Sequence, residues 1–141
     1  MKIYTASGWP FRKEVSEMNK KLRAAGFDIV SNWIEMENGI CTPKALADDA
    51  LRDTNEVASA DVVLCIMNDD KYAFRGTWTE FGYGLALGKR VIIVCSGLGA
   101  EKQISENRYE YPYQCMTNVF FWHPDVERVR TLDDAICLLK G

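Results

Sequence analysis

Residues 75–94 predict a helix that leads directly into a buried strand, which limits the folds open to this chain. Gly88 is predicted to end the helix, because glycine adopts the left-handed conformation of a helix terminus at little steric cost. The apolar run Val91–Val94 that follows is typical of a strand covered on both faces. Strands of this kind occur in parallel sheets with helices packed on both sides.

Glu80, inside this predicted helix, has two interpretations. Thr77 and Glu80 fit the T-x-x-E capping box, which makes Thr77 the N-cap and places Glu80 in the first turn. The helix dipole favours a carboxylate there, so Glu80 is either only a cap or an active carboxylate. Gly82 and Gly84 each cost about 1 kcal/mol relative to alanine in a helix interior, which predicts a close neighbour.

Strands and helices alternate along the rest of the chain. Further strands are predicted at residues 2–6, 27–30, 61–67 and 119–122, and further helices at residues 11–25, 43–59 and 132–139. Loops are predicted over residues 31–42 and, longer and polar, over residues 96–118; a loop as long as the second is usually a lid or a partner contact. This alternation predicts one α/β domain over residues 1–141, a flavodoxin-like (Rossmann-like) three-layer sandwich around a five-stranded parallel sheet of order 2-1-3-4-5.

Composition excludes several classes of protein. A hydrophobic share of 48% and a charged share of 26% over 141 residues indicate one globular domain. The net charge of −3 argues against a nucleic-acid polymer as partner, and no apolar run approaches a membrane span. Without a leader pattern, the protein is expected in the cytoplasm. The five cysteines have no C-x-x-C spacing and are expected to be reduced, and His123 has no ligand neighbour, so no metal or cofactor is expected.

Ligands of such sheets bind at the carboxyl ends of the strands, near the topological switch point. The loops predicted at this edge are residues 6–10, residues 68–76 and the segment from Ser96 onward. Glu80 belongs to the helix after the second loop, so the topology places it at the ligand edge. The other chemical groups that could line one cleft with it are Asp53, Asp69, Asp70, Tyr4 and Trp9. A carboxylate beside aromatic side chains suits glycosidic chemistry through an oxocarbenium-like transition state.

Three segments, taken in their order and spacing, match a known family. They are Ile3-Tyr4-Thr-Ala-Ser-Gly8-Trp9, then Arg52-Asp53 with Ala60-Asp61-Val-Val-Leu, then Thr79-Glu80-Phe-Gly82-Tyr-Gly-Leu-Ala-Leu-Gly88-Lys. In these segments the sequence resembles the nucleoside 2-deoxyribosyltransferase family, which also contains nucleotide N-glycosidases. They resemble its first strand with the substrate loop, its central helix and strand, and its nucleophile helix. The resemblance spans most of the chain, with residues 96–118 as an insertion.

The resemblance implies a covalent mechanism. Glu80 would attack C1′ of the sugar and expel the nucleobase; a second base takes the sugar in a transferase, and water takes it in a hydrolase. The helix N-terminus would keep Glu80 ionised. Tyr4 would hold the nucleophile in place, unless it is only a packed strand residue. Asp53 would contact substrate and manage the proton of the leaving base, unless it is a solvated helix charge.

The resemblance also implies substrate contacts in the loops. Gly8 would let the backbone approach the ligand, and Trp9 would stack on the base or pack in the core. Asn118 would contact the substrate of its own or of a neighbouring subunit. Related enzymes complete each site with residues from a partner subunit, so a homodimer or a larger homo-oligomer is implied.

One departure from the family concerns the residues before the nucleophile. Deoxyribosyltransferases carry an acidic residue about six positions before the nucleophile, where it contacts the sugar 5′-hydroxyl. This chain has Phe74-Arg75 there, followed by Gly76 as a further expected substrate contact, with Asp69 and Asp70 farther back. A guanidinium suits a 5′-phosphate, which favours the N-glycosidase branch. Alternatively, Arg75 pairs with Asp69 or Asp70, or braces the loop.

The sequence therefore predicts an enzyme that acts on the N-glycosidic bond of a small nucleoside or nucleotide. Deoxyribosyl transfer is the preferred reaction, and hydrolysis of a 5′-monophosphate is the alternative. A non-catalytic nucleotide-binding module that uses the same cleft is the alternative from a different class.

Overall fold

The computed structural model describes residues 1–36 and 41–141. Its strands are β1 (Lys2–Ala6), β2 (Asp28–Ile29), β3 (Val62–Ile66), β4 (Arg90–Val94), β5 (Lys102–Ser105), β6 (Arg108–Glu110) and β7 (Val126–Val129). They form a five-stranded parallel sheet and a separate two-stranded hairpin made of β5 and β6. The order of the parallel sheet is β2-β1-β3-β4-β7, and each neighbouring pair is parallel. The predicted flavodoxin-like sheet order is confirmed.

Within the described part of the chain, four α-helices flank the sheet: α1 (Arg12–Ala24), α2 (Pro43–Ser59), α3 (Arg75–Ala86) and α4 (Leu132–Lys140). α2 and α3 contact each other on one face, and α3 also contacts β1, β3 and β4. Right-handed crossovers put α1 on the opposite face. Gly88 has a φ of 74°, as predicted for the residue after a helix. No helix in residues 1–36 and 41–141 is long and apolar enough to cross a membrane.

The packing of α3 on the sheet depends on one of its two interior glycines. A Cβ built on Gly84 would lie 2.6 Å from Cγ2 of Val63, a residue of the fully buried strand β3. A Cβ built on Gly82 would meet no atom within 4 Å. The predicted close neighbour therefore exists at Gly84 and not at Gly82.

The fifth strand of the sheet is not at residues 119–122, where the sequence predicts it. Those residues form a 3₁₀-helix whose N-cap is Asn118, and the strand is β7. β7 is an edge strand in which two charged residues lie between Val126 and Val129, and its Glu127 accepts two hydrogen bonds from Arg90 of β4, at 2.6 and 2.9 Å. A half-exposed strand of this kind gives a weaker apolar signal than the run Val119–Trp122.

Residues 96–118 are more ordered than the predicted polar loop. They contain the antiparallel hairpin β5–β6 and a 3₁₀-helix over Gln114–Thr117. Of the loop predicted over residues 31–42, Trp33–Glu35 form a 3₁₀-helix, and residues 37–40 lie outside the described residues.

Candidate active site

Tyr4 of β1 and Glu80 of α3 form a hydrogen-bonded pair between the sheet and the helix. The Tyr4 hydroxyl donates to Oε2 of Glu80. Tyr4 is completely buried, and burial together with the Glu80 charge raises the pKa of its hydroxyl well above the usual value. The phenol therefore stays protonated and acts as a donor over the physiological pH range.

The start of α3 differs from the predicted capping box. The helix begins at Arg75, and the preceding Phe74 is in the left-handed region with a φ of 52°. Thr77 lies inside the first turn with its hydroxyl buried and unbonded to any described residue. Glu80 is consequently in the second turn and bonds Tyr4. The interpretation of Glu80 as a helix cap is wrong.

Glu80 titrates near neutral pH. Burial raises the pKa of its carboxyl to about 7, the hydrogen bond from Tyr4 opposes that rise, and the negative charges of Asp53 and Glu56 add to it. The expectation that the helix N-terminus keeps Glu80 ionised is therefore not met, because desolvation outweighs the helix dipole in the second turn.

α2 supplies the other charges that act on this pair. Nη2 and Nε of Arg52 donate to Oδ1 of Asp53 at 2.9 and 3.2 Å. Burial raises the pKa of Asp53, and the bond from Arg52 opposes the rise. The negative charge of Asp53 is felt by both Tyr4 and Glu80. Asp53 is thus part of the electrostatic surroundings of the pair and not an isolated solvated charge.

Glu56 is a further member of this cluster that the sequence analysis does not identify. Its carboxylate accepts hydrogen bonds from the backbone N–H and the side-chain amide of Asn32, at 3.1 and 3.0 Å. It lies 3.9 Å from Nε of Arg52 and, like Asp53, contributes charge at Glu80. The sequence feature that could have identified Glu56 is its position three residues after Asp53 and four after Arg52, since these spacings put it on the same side of the helix as both.

The loop after β1 brings Gly8 and Trp9 together with aromatic neighbours. A Cβ at Gly8 would overlap the ring of Tyr72, so this glycine makes room for a side chain of the protein. The Trp9 ring lies 6.4 Å from that of Trp33, and the Arg12 guanidinium lies 4.7 Å from its centroid. The buried indole N–H of Trp9 has no hydrogen-bond partner among the described residues.

The loop before α3 contains the other predicted contact residues. Oδ2 of Asp69 accepts the backbone N–H groups of Lys71 and Tyr72, at 3.0 and 2.7 Å, so this carboxylate orders the loop itself. Asp70 is exposed. Arg75 and Gly76 are exposed at the start of α3, and within the described residues no ion pair joins Arg75 to either aspartate.

Asn118 lines a surface groove that does not include the Tyr4–Glu80 pair. It lines a groove of about 630 Å³ with residues of α3 such as Trp78 and Gly82, and neither Tyr4 nor Glu80 lines this groove. Its side-chain oxygen accepts the backbone N–H of Phe120 at 2.9 Å, which caps the following 3₁₀-helix. Within this subunit, Asn118 has a structural role.

A family model described as nucleoside 2-deoxyribosyltransferase matches residues 3–116 of the chain. The chain belongs to this family. The matched region contains Tyr4, Asp53, Glu56 and Glu80, the groups that interact between the sheet, α2 and α3. No curated protein sequence matches the chain.

Solved structures share the fold of this 2-deoxyribosyltransferase family member. The 2-deoxyribosyltransferase of Bacillus psychrosaccharolyticus is 20% identical, with a TM-score of 0.71, and the alignment covers 96% of this chain and 90% of that one. The CMP N-glycosidase BcmB of Clostridium botulinum is 12% identical, with a TM-score of 0.60 and full coverage of both chains. The 2-deoxyribosyltransferase of Leishmania mexicana is 14% identical, with a TM-score of 0.60, and the alignment covers 97% of this chain and 95% of that one.

The geometry in this family member provides one carboxylate suited to attack. A carboxyl group that titrates near pH 7 and is held by a phenol is able to act as a nucleophile or as a general base. A second carboxyl group of raised pKa, Asp53, is close enough to influence it. Together these groups can carry out a displacement in which one carboxylate attacks and another handles a proton.

Proposed function

We propose that the protein cleaves the N-glycosidic bond of a nucleoside or nucleotide through a covalent glycosyl intermediate on Glu80, with deoxyribosyl transfer as its reaction. The observation that carries the proposal is the buried hydrogen bond from Tyr4 to Glu80. A carboxylate placed there with a pKa of about 7 is available as a nucleophile at neutral pH. Membership in the 2-deoxyribosyltransferase family supports the substrate class.

In the first step, Oε1 of Glu80 attacks C1′ of the sugar. A C1′–O bond forms and the C1′–N bond breaks, and the electron pair of that bond goes to the departing base. The Tyr4 hydroxyl bonds Oε2, which leaves Oε1 free for the attack. The same hydrogen bond favours the ionised form of Glu80 and holds the carboxylate in one orientation.

Asp53 is proposed to deliver the proton that the departing base takes up. Burial raises the pKa of its carboxyl, which favours the uptake and release of a proton there, and the bond from Arg52 opposes the rise. Asp53→Asn is expected to slow cleavage of poor leaving bases more than cleavage of good ones. Asp48→Asn, at an exposed position on the same helix where the carboxylate pairs with Lys44, is the matched control.

In the second step, a free base attacks C1′ of the glycosyl ester and releases Glu80. Transfer requires that the acceptor base replaces the departed one before water reaches C1′. The half-buried Trp9 ring is proposed to stack on the base, which would hold an acceptor in the cleft. This arrangement favours transfer over hydrolysis.

Hydrolysis of a nucleoside 5′-monophosphate is a second candidate, and Arg75 favours it. This exposed guanidinium stands at the first position of α3, where Phe74 offers no side-chain cap to the backbone N–H groups of the first turn. A helix N-terminus and a guanidinium together suit a phosphate. In this candidate, water takes the sugar phosphate from Glu80.

Product analysis distinguishes the two reactions. The protein is incubated with deoxynucleosides and with deoxynucleoside monophosphates, each with and without a second free base. Transfer predicts a new nucleoside that forms only when the second base is present. Hydrolysis predicts free base and sugar phosphate from the monophosphate alone.

Glu80→Ala tests whether the site is catalytic at all. It is expected to abolish turnover in either reaction, and substrate should still bind the variant, as measured by calorimetry. Glu17→Ala, an exposed carboxylate on α1, is the control and should keep full activity. Binding without turnover by the unmodified protein would instead indicate a non-catalytic nucleotide-binding module.

A further inference from the structure

Two cysteines that the proposed reaction does not use lie side by side beneath the surface. The sulfur atoms of Cys95 and Cys115 are 4.0 Å apart, and both residues are buried. Among the other cysteines, Cys41 and Cys137 are exposed, and Cys65 is buried within β3. The pair thus joins two segments of the chain that are 20 residues apart in sequence.

The backbone holds both members of the pair in place. Cys95 directly follows β4, donates its backbone N–H to Val129 of β7 at 2.9 Å, and accepts the N–H of Leu98 at 3.2 Å. Cys115 lies in the 3₁₀-helix Gln114–Thr117, and the N–H of Gln114 donates to the carbonyl of Asp70 at 2.9 Å. Since both backbones are anchored, the sulfur atoms are kept near each other.

The residues beside the two cysteines reinforce this contact. The hydroxyl groups of Ser96 and Tyr113 are 2.8 Å apart, within hydrogen-bond distance. The Tyr113 ring covers Gly97 so closely that a Cβ there would lie 2.7 Å from the ring. The segment after β4 and the segment that contains Cys115 therefore pack against each other on the residues that flank the thiols.

The two thiols differ in acidity. The hydrogen bond from Cys115 lowers the pKa of Cys95, burial opposes this change, and the backbone N–H groups of Gly97 and Leu98 add to the lowering. The pKa of Cys115 is raised by the same hydrogen bond and by burial. Cys95 is consequently the better nucleophile, and Cys115 is placed to resolve an oxidised Cys95.

We infer that Cys95 and Cys115 form a reversible intramolecular disulfide when the protein meets a small peroxide. The oxidant is close to water in size, and Ser96 and Gln114, which adjoin the pair, are exposed. The sulfur atoms need to approach by about 2 Å from their separation of 4.0 Å to reach the bond length of a disulfide.

The chemistry balances with hydrogen peroxide as the only co-reactant. The Cys95 thiolate attacks one oxygen, an S–O bond forms, the O–O bond breaks, and hydroxide leaves with a sulfenic acid on Cys95. The sulfur of Cys115 then attacks Cys95, the S–S bond forms, and the S–O bond breaks. Each of the two hydroxides takes up one thiol proton and leaves as water, so two thiols and one peroxide become one disulfide and two waters.

The disulfide would fix the inserted segment to the sheet. It closes the chain between the end of β4 and the 3₁₀-helix at Gln114–Thr117, which encloses the hairpin β5–β6. Through the bond from Gln114 to Asp70, the linked segment also supports the loop that precedes α3. A cross-link of this kind restricts the unfolded chain, so the oxidised protein is expected to have a higher Tm than the reduced protein.

The test uses the full chain with Cys41→Ser and Cys137→Ser, which removes the exposed thiols and leaves three cysteines. The protein is treated with hydrogen peroxide, unfolded, alkylated with N-ethylmaleimide, and analysed by mass spectrometry. The expected result is the loss of two hydrogen atoms, one alkylated cysteine at Cys65, and a linked peptide pair that contains Cys95 and Cys115. Dithiothreitol should restore three alkylated cysteines and the lower Tm.

Two single variants in the same background identify the attacking thiol. Cys115→Ala should leave a sulfenic acid on Cys95, trapped by dimedone, and Cys95→Ala should leave no dimedone adduct on Cys115. Circular dichroism establishes that each variant is folded before oxidation. Three alkylated cysteines after peroxide treatment, a disulfide that includes Cys65, or oxidation of Cys95 to the sulfinic acid without a cross-link would overturn the inference.

Discussion

Tyr4 and Glu80 are 76 residues apart in sequence, and the hydroxyl of the first donates to the carboxylate of the second. The bond links β1 to α3 across the space where α2 contributes Asp53 and Glu56. Burial pushes the Glu80 carboxyl toward its neutral form, and the Tyr4 bond pushes it back toward the ionised form. The balance leaves its pKa at about 7, where a small change in either influence alters the fraction that is ionised.

Tyr4→Phe removes one of these two influences, the hydrogen bond, because the hydroxyl oxygen of Tyr4 provides it. We expect the pKa of Glu80 to rise above about 7, because the hydrogen bond that lowers it is lost. The ascending limb of the pH profile of kcat/KM should move to higher pH, and kcat/KM at neutral pH should fall by about tenfold or more. Tyr109→Phe, at an exposed hairpin position, is the control. An unmoved pH profile in Tyr4→Phe would contradict the assigned role.

Glu80→Gln should make the protein more stable at high pH. The folded state binds the Glu80 proton more tightly than the unfolded state does. The pKa of the carboxyl is about 7 in the folded protein, whereas its ordinary value, which applies to the unfolded chain, is 4.5. The stability that the neutral carboxyl contributes is therefore complete below about pH 4.5 and is lost as the pH rises through 7.

Urea unfolding at several pH values measures this effect. The free energy of unfolding of Glu80→Gln should exceed that of the unmodified protein by up to about 3 kcal/mol at about pH 8, with the difference vanishing in acid. Glu17→Gln, an exposed carboxylate on α1, should show no such pH-dependent gain. Equal gains in both variants would mean that Glu80 is not the group responsible.

Arg75→Ala separates the two proposed reactions at the level of binding. If Arg75 contacts a 5′-phosphate, KM for a deoxynucleoside monophosphate should rise about tenfold or more, and KM for the free deoxynucleoside should not change. Lys71→Ala removes the same charge from an exposed position in the preceding loop and serves as the control. A rise in KM with both variants would indicate a general electrostatic effect, and no rise with either would exclude a phosphate contact at Arg75.

The sheet order was predictable because its central strands give strong signals. β3 and residues Val91–Val94 of β4 are continuous apolar runs, each preceded by a helix whose C-terminal end is recognisable, and right-handed crossovers then leave few arrangements. The fifth strand was not predictable in the same way. The apolar run Val119–Trp122 competes with β7, which is also four residues long but has two charged residues at its centre. In the structure Asn118 caps the first segment as a 3₁₀-helix, and β7 pairs with β4.

The candidate site was predictable only in part. Topology and the family resemblance predicted Glu80 near Tyr4. The T-x-x-E pattern predicted the wrong start for α3, because Phe74 adopts a left-handed conformation that no sequence rule expects of a phenylalanine. The pKa of Glu80 depends on its burial and on groups of β1 and α2 that are distant in sequence, which a linear pattern does not reveal. Glu56 was missed because its bond to Asn32 is a tertiary contact.

Gly84→Ala and Gly82→Ala form a matched pair that tests how α3 rests on the sheet. A Cβ at Gly84 would lie 2.6 Å from Cγ2 of Val63, so α3 or the strand has to move, and the variant should lose about 1–3 kcal/mol of unfolding free energy. A Cβ at Gly82 meets nothing within 4 Å, so alanine there should gain about 0.5–1 kcal/mol through helix propensity. Thermal and urea unfolding measure both changes. Because α3 carries Glu80, Gly84→Ala should also lower kcat, and Gly82→Ala should leave it unchanged. Destabilisation by both substitutions would mean that helix flexibility, and not close packing on Val63, requires these glycines.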